Sequence, residues 1–131
     1  MGQPAAKQGD QIMATDIHIV LIPAPPGPPI PTPLPHPFTG MIDGGLSSDV
    51  NIMGKPAATV DSTATNTPSH IPQGGPFQSP PSNKATIKMG SPTVKVNGKM
   101  AARNGDTAMT CNDPSDVPGG TIIAVGTVLI G

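Results

Sequence analysis

Apolar residues alternate with polar ones in short runs along most of this chain, and nowhere do they recur with a helical period. Val50-Asn51-Ile52-Met53 and Val94-Lys95-Val96-Asn97 each read as a half-buried strand running into a glycine, Gly54 and Gly98. Ala85-Thr86-Ile87-Lys88-Met89 and Thr93 to Val96, parted by Gly90-Ser91-Pro92, read as a hairpin. Thr121 to Val125 and Thr127 to Ile130, parted by Gly126, read as another. The expectation is an all-β chain.

The strand-and-glycine pattern belongs to a degenerate repeat. Gly2, Gly54 and Gly98 lead into Pro4-Ala5-Ala6-Lys7, Pro56-Ala57-Ala58-Thr59 and Met100-Ala101-Ala102-Arg103. The first landmark has no strand before it, whereas Thr127-Val128-Leu129-Ile130-Gly131 is a strand with no landmark after it. If the last strand serves the first landmark, the repeat closes on itself as a pseudo-threefold body in one domain, residues 1–131. Gly9-Asp10 and Gly105-Asp106 read as turns that follow the alanine pairs. Pro23 to Pro37 holds nine prolines in fifteen residues and Thr67 to Ser82 is also proline-rich. Both are expected to be loops, since proline lacks the ladder donor.

Composition sharpens the question of what fills the interior. The chain has no Trp, no Tyr and two Phe, with 16 Gly and 19 Pro in 131 residues. A core of this size normally leans on aromatic side chains. The formal net charge of −1 and 11% charged residues give no footprint for nucleic acid. No apolar run reaches the length of a membrane span, and the N-terminus lacks the pattern of a secretory signal, so a cytoplasmic start is expected. One cysteine excludes an internal disulfide.

That cysteine and the three histidines are the candidate chemistry. His18 and His70 lie sixteen residues beyond Gly2 and Gly54, Cys111 lies thirteen beyond Gly98, and His36 sits in the first proline-rich segment. Three imidazoles and one thiolate suit a closed tetrahedral Zn²⁺ site, and such an ion would offset the missing aromatic core. Asp16 and Asp113 are reserve ligands. A catalytic Cys-His pair is the competing use of these residues. No oxyanion loop or carboxylate pair accompanies it, so no enzyme is expected.

These motifs resemble those of the proline-alanine-alanine-arginine (PAAR) repeat proteins, and the resemblance spans the chain. It implies a cone of β-hairpins with one structural zinc near the apex, its base seated on a trimeric spike of a type VI secretion or related contractile injection system. It implies a tip that sharpens the spike against a target membrane, cytoplasmic before assembly and outside the cell or in the target after firing. Relatives with fused effectors make recruitment of effector proteins through the proline-rich loops the alternative, although here the repeats fill the chain. No copy reads Pro-Ala-Ala-Arg in full: Lys7, Thr59 and Met100 depart from it.

Overall fold

A computed structural model describes residues 2–131, and every regular element among them is a strand. In chain order these are β1 (Gln3–Pro4), β2 (Gln11–Ile22), β3 (Ile30–Gly44), β4 (Asn51–Ile52), β5 (Lys55–Pro56), β6 (Thr63–Asn66), β7 (Lys84–Ile87), β8 (Lys95–Val96), β9 (Lys99–Met100), β10 (Thr107–Thr110), β11 (Val117–Ile123) and β12 (Leu129–Ile130). Three hairpins, β2–β3, β6–β7 and β10–β11, close into a six-stranded barrel in the order β10-β11-β2-β3-β6-β7. Below it lie three two-stranded ribbons, β4–β5, β8–β9 and β12–β1.

The ribbons are copies of one another. Ile52 pairs with Lys55, Val96 with Lys99 and Ile130 with Gln3. The first two turn through Met53-Gly54 and Asn97-Gly98, all four residues at positive φ, as a two-residue hairpin of type I′ needs. The third, β12–β1, is assembled from the two ends of the chain, so the circular closure expected from the repeat is present. The two expected hairpins at Gly90 and Gly126 are not. β7 pairs with β6 and β10, β11 pairs with β10 and β2, and the strands after them leave the barrel for the ribbons. Gly90 and Gly126 mark barrel-to-ribbon crossings, which glycine serves as well as a hairpin turn.

The alanine pairs stand on the pseudo-threefold axis. Ala58 N–H donates to Ala6 O (3.0 Å), Ala102 N–H to Ala58 O (3.0 Å) and Ala6 N–H to Ala102 O (2.9 Å), a closed triangle of backbone bonds. A second triangle joins Gln8 N–H to Pro56 O, Val60 N–H to Met100 O and Asn104 N–H to Pro4 O. The second ring uses only the carbonyl at the position before the alanines, which Met100 supplies as well as a proline does. All six alanines are buried, because three backbones meeting at an axis leave room for nothing beyond Cβ.

Each alanine pair runs into the same turn. The amides of Lys7, Thr59 and Arg103 donate to the side chains of Asp10, Ser62 and Asp106, three residues on. Gly9, Asp61 and Gly105 take the left-handed φ in between, at 92°, 78° and 89°. Lys7 and Arg103 also pair through their side chains with Asp10 and Asp106 (3.2 and 2.9 Å). The middle copy, with Thr59 and Ser62, makes the turn without the ion pair.

Above the axis the barrel is filled by aliphatic residues in equivalent places, foremost Ile42, Ile87 and Ile122, all fully buried. Ile52, Val96 and Ile130 form a second, smaller cluster with Ala5, Ala57 and Ala101 in the base. Beyond Ala14 the ladder continues between β2 and β3, with residues 76–78 and 112–113 bonded along the outer edge of β2.

The stretch Pro31 to Pro37 is therefore strand rather than loop, contrary to the expectation from its prolines. Ile17, Ile19 and Leu21 turn their amides away from β3, toward Asn112, Asp113 and Pro76. Their cross-strand partners, Pro35, Pro33 and Pro31, are thus in pairs that exchange no hydrogen bond. Every proline nitrogen faces the free edge, where a missing donor costs nothing. Residues Thr67 to Ser82 do form the expected loop, with one isolated bridge between Phe77 and Val20.

Candidate metal centre

Alternation along β2 carries Asp16 and His18 inward between Ile12 and Val20, while Ile17 and Ile19 face outward. β3 runs opposite and sets His36 across from Asp16 in register, its side chain also inward. β6 ends at Asn66, ahead of Pro68, and the chain then bends so that His70 comes back over the barrel mouth. Cys111 follows the last residue of β10. The equal sixteen-residue offsets of His18 and His70 thus lead to one place by different routes, one imidazole from mid-strand and the other from a loop.

Asp16, His18, His70 and Cys111 are all buried, and one donor atom from each lies within 4.8 Å of the other three. These four residues are positioned to bind a metal ion. His36 adjoins them, its ring centroid 5.6 Å from that of His18 and 5.5 Å from that of His70. It stands outside the close set, with Nδ1–H donating to Leu34 O (2.9 Å) and Nε2 left as its lone-pair donor. Asp113 is not in the set either. Its carboxylate accepts from Ile19 N–H (2.8 Å) and stands 3.6 Å from His18 Nδ1.

The environment suits a cation. Both nitrogens of His18 are buried without a hydrogen-bond partner, an arrangement that costs about 1–3 kcal/mol per group unless something coordinates it. Asp16 is fully buried, and among the described residues no Lys or Arg pairs with it. Its Oδ2 accepts from His70 Nε2 (2.8 Å) and from Cys111 Sγ (3.4 Å), while Asn112 Nδ2 stands 3.5 Å from Oδ1. A buried carboxylate is normally paired or bound to metal. A divalent ion with one thiolate and one carboxylate is neutral overall, the charge state that burial favours.

Second partners fix the orientations. Thr39 N–H donates to Asn66 Oδ1 (2.9 Å), which turns the Asn66 amide so that Nδ2 meets His70 Nδ1 (3.2 Å). Asn112 Oδ1 takes Ile17 N–H (2.6 Å) and so faces its own Nδ2 toward Asp16. Phe77 lies over the cluster, 5.7 Å from His18 and 5.3 Å from His36, and Phe38 lies beneath His70 at 6.0 Å. The two aromatic residues of the chain thus bracket the site. Asn66 and Asn112 carried no signal in the sequence, since amides that orient other side chains share no spacing rule.

A model of one protein family, described as PAAR motif, matches residues 1–114. The chain belongs to the PAAR-motif family. No curated protein matches it by sequence. In this PAAR chain the motif residues build the axis and the base, and the candidate metal ligands lie at the other end.

Burial pushes the Cys111 thiol up from 9.0 to about 11, helped by the charge and hydrogen bond of Asp16. Burial above all also lowers His18 from its ordinary 6.5, against the opposing pull of Asp113. A bound cation has to displace the thiol proton, so acid releases it. The lowered His18 acts in the same direction, because the unfolded chain binds the extra proton first. Stability present above pH 6.5 is expected to drain away as the pH falls through 6.5, by up to about 1.4 kcal/mol per pH unit for one proton. Denaturant midpoints and bound metal, measured together from pH 7.5 to 5, should fall in parallel.

Proposed function

We propose that this chain is the zinc-stapled tip of a contractile injection spike, seated one copy per trimer and driven point-first into a target membrane. PAAR-motif membership supports a spike-tip role in such systems. The observation that carries the finer reading is the base, where three equivalent ribbons surround one axis and so offer a threefold partner three matching contacts from a single chain. Val94 and Val128 occupy equivalent ribbon-entry positions and are 36% and 40% exposed, and Leu129 and Met53 are exposed beside them. Val96, by contrast, belongs to the core of the base. Lys55, Lys95 and Lys99 flank the apolar positions, so the contact would combine apolar burial with charge. The opposite end, built on the β2–β3 hairpin, holds four donors suited to a structural Zn²⁺, whose binding would stiffen the point. The role is mechanical and involves no chemical step. Mixing the protein with the trimeric spike encoded beside it and measuring mass in solution tests the reading. One chain per trimer is expected, and a one-to-one assembly, or no complex, rejects it.

A further inference from the structure

The three ribbons of the base lean on one another in a ring, the segment entering each ribbon resting on the turn of the next. Ser47, Ser91 and Val125 stand five residues before Ile52, Val96 and Ile130. Ser47 Oγ accepts from the amides of Asp49 and Val50 (3.2 and 3.0 Å) and bonds to the side chain of Asn97. Ser91 Oγ accepts from Thr93 and Val94 (3.2 and 3.0 Å) and donates to Gly131 O. In the third copy valine has no hydroxyl, and Thr127 N–H meets Met53 Sδ instead (3.5 Å). Two of these seams hold a cation of the chain's own. Lys7 Nζ donates to Val125 O (2.6 Å) as well as to Asp10, and Arg103 Nη1 donates to Gly131 O (3.2 Å) while Nη2 holds Asp106 (2.9 Å).

The seam between Ser47 and Asn97 has no such cation, because Thr59 stands where the other copies have Lys7 and Arg103. A pocket of about 310 Å³ opens there, lined among others by Ser48, Asp49, Thr59, Asn97 and Lys99. Asp49 brings the one carboxylate of the lining, and it accepts from Asn97 Nδ2 (2.7 Å). The Lys99 ammonium is paired with Asp61 (3.5 Å). We propose that this pocket is a socket for a cationic side chain, arginine before lysine, supplied by the protein seated on the base. A guanidinium suits it best, since its planar fork can meet the Asp49 carboxylate and a neighbouring carbonyl together, as Arg103 meets Asp106 and Gly131. Asp49 adjoins Val50, the counterpart of Val94 and Val128, so the socket is continuous with the exposed ribbon-entry positions. The inference rests on the spike reading for the identity of the partner; the preference for a cation comes from the two filled seams.

Thr59→Arg supplies the cation from within the chain and so occupies the socket. It is expected to melt at or above the wild-type temperature and to bind the spike trimer about tenfold more weakly. Asp49→Asn, which leaves the pocket open, is expected to weaken binding by a similar factor and to flatten its dependence on salt. Ethylguanidinium is a probe that needs no trimer. In titrations followed by amide chemical shifts it is expected to move Ser48, Asp49 and Asn97 in the wild type and to leave the same positions unmoved in both variants. No shift at those three residues in the wild type overturns the socket, and so does a trimer bound equally by all three proteins. Absence of any complex with the wild type rejects the spike reading instead, and the titration alone then decides whether the socket takes a cation.

Discussion

Cys111→Ala is expected to empty the metal site and to leave the domain largely unfolded at room temperature. Structural zinc contributes about 10–16 kcal/mol at neutral pH in peptides that fold around it, and a whole domain is ordinarily stable by about 5–15 kcal/mol. Here the metal-side half of the interior has little else. Asp16, His18, His70 and Cys111 are buried where apolar side chains would pack in a conventional barrel. The variant also leaves Asp16 buried with one fewer partner. Metal content by native mass spectrometry and a thermal melt monitored by circular dichroism check the expectation, with a strong chelator on the wild type as the parallel experiment. Protein purified without chelators that carries no transition metal, yet melts cooperatively, would falsify it.

Removing residues 128–131 is expected to be nearly as damaging, although they form a chain end. Ala5 N–H loses its bond to Val128 O (2.8 Å), β1 loses its only ribbon partner, and Arg103 and Ser91 lose the carbonyl of Gly131. Ile130, buried in the base cluster, is deleted with them. Burial of such a side chain is worth about 1.5–3 kcal/mol and each hydrogen bond about 1 kcal/mol, which together approach the stability of a small domain. Joining Gly131 directly to Gly2, with the chain reopened in the 23–29 loop, is expected to restore the fold, since these two residues then form the turn between the paired Ile130 and Gln3 that Met53-Gly54 and Asn97-Gly98 form in the other two ribbons. A truncated protein with unchanged melting temperature and metal content would show that the ring does not need its third ribbon.

Much of this could be read from the sequence because the repeat is written in residues whose roles are local. The Gly9-Asp10 and Gly105-Asp106 turns and the closing of the last strand onto the first landmark stand where the pattern places them, whereas the axial position of the alanine pairs and the matching turn at Asp61-Ser62 carry no such signal. Strand partnership was less legible. Two neighbouring strands parted by a glycine look like a hairpin whether they pair with each other or, as around Gly90 and Gly126, with distant strands. The prolines of β3 misled for a related reason: the cost of a missing amide depends on which way it faces, which only the register decides. At the metal centre, His18, His70 and Cys111 were found by their scarcity. Asp16 was held in reserve because a carboxylate is not scarce, and its burial beside Cys111 and His70 was not visible before the barrel closed.

The middle copy of the turn, with Thr59 and Ser62 where its counterparts hold ion pairs, has a consequence for any partner with true threefold symmetry. Such a partner accepts this chain in three orientations that its own symmetry makes equal in energy, a statistical gain of RT ln 3, or about 0.6 kcal/mol. Once seated, the chain nevertheless places three unlike seams above three identical subunits, because one seam carries Lys7, one Arg103 and one neither. Images of the assembly averaged with threefold symmetry imposed would merge these three side chains into a single blurred density. Only reconstruction without that symmetry would show which subunit lies under the neutral seam.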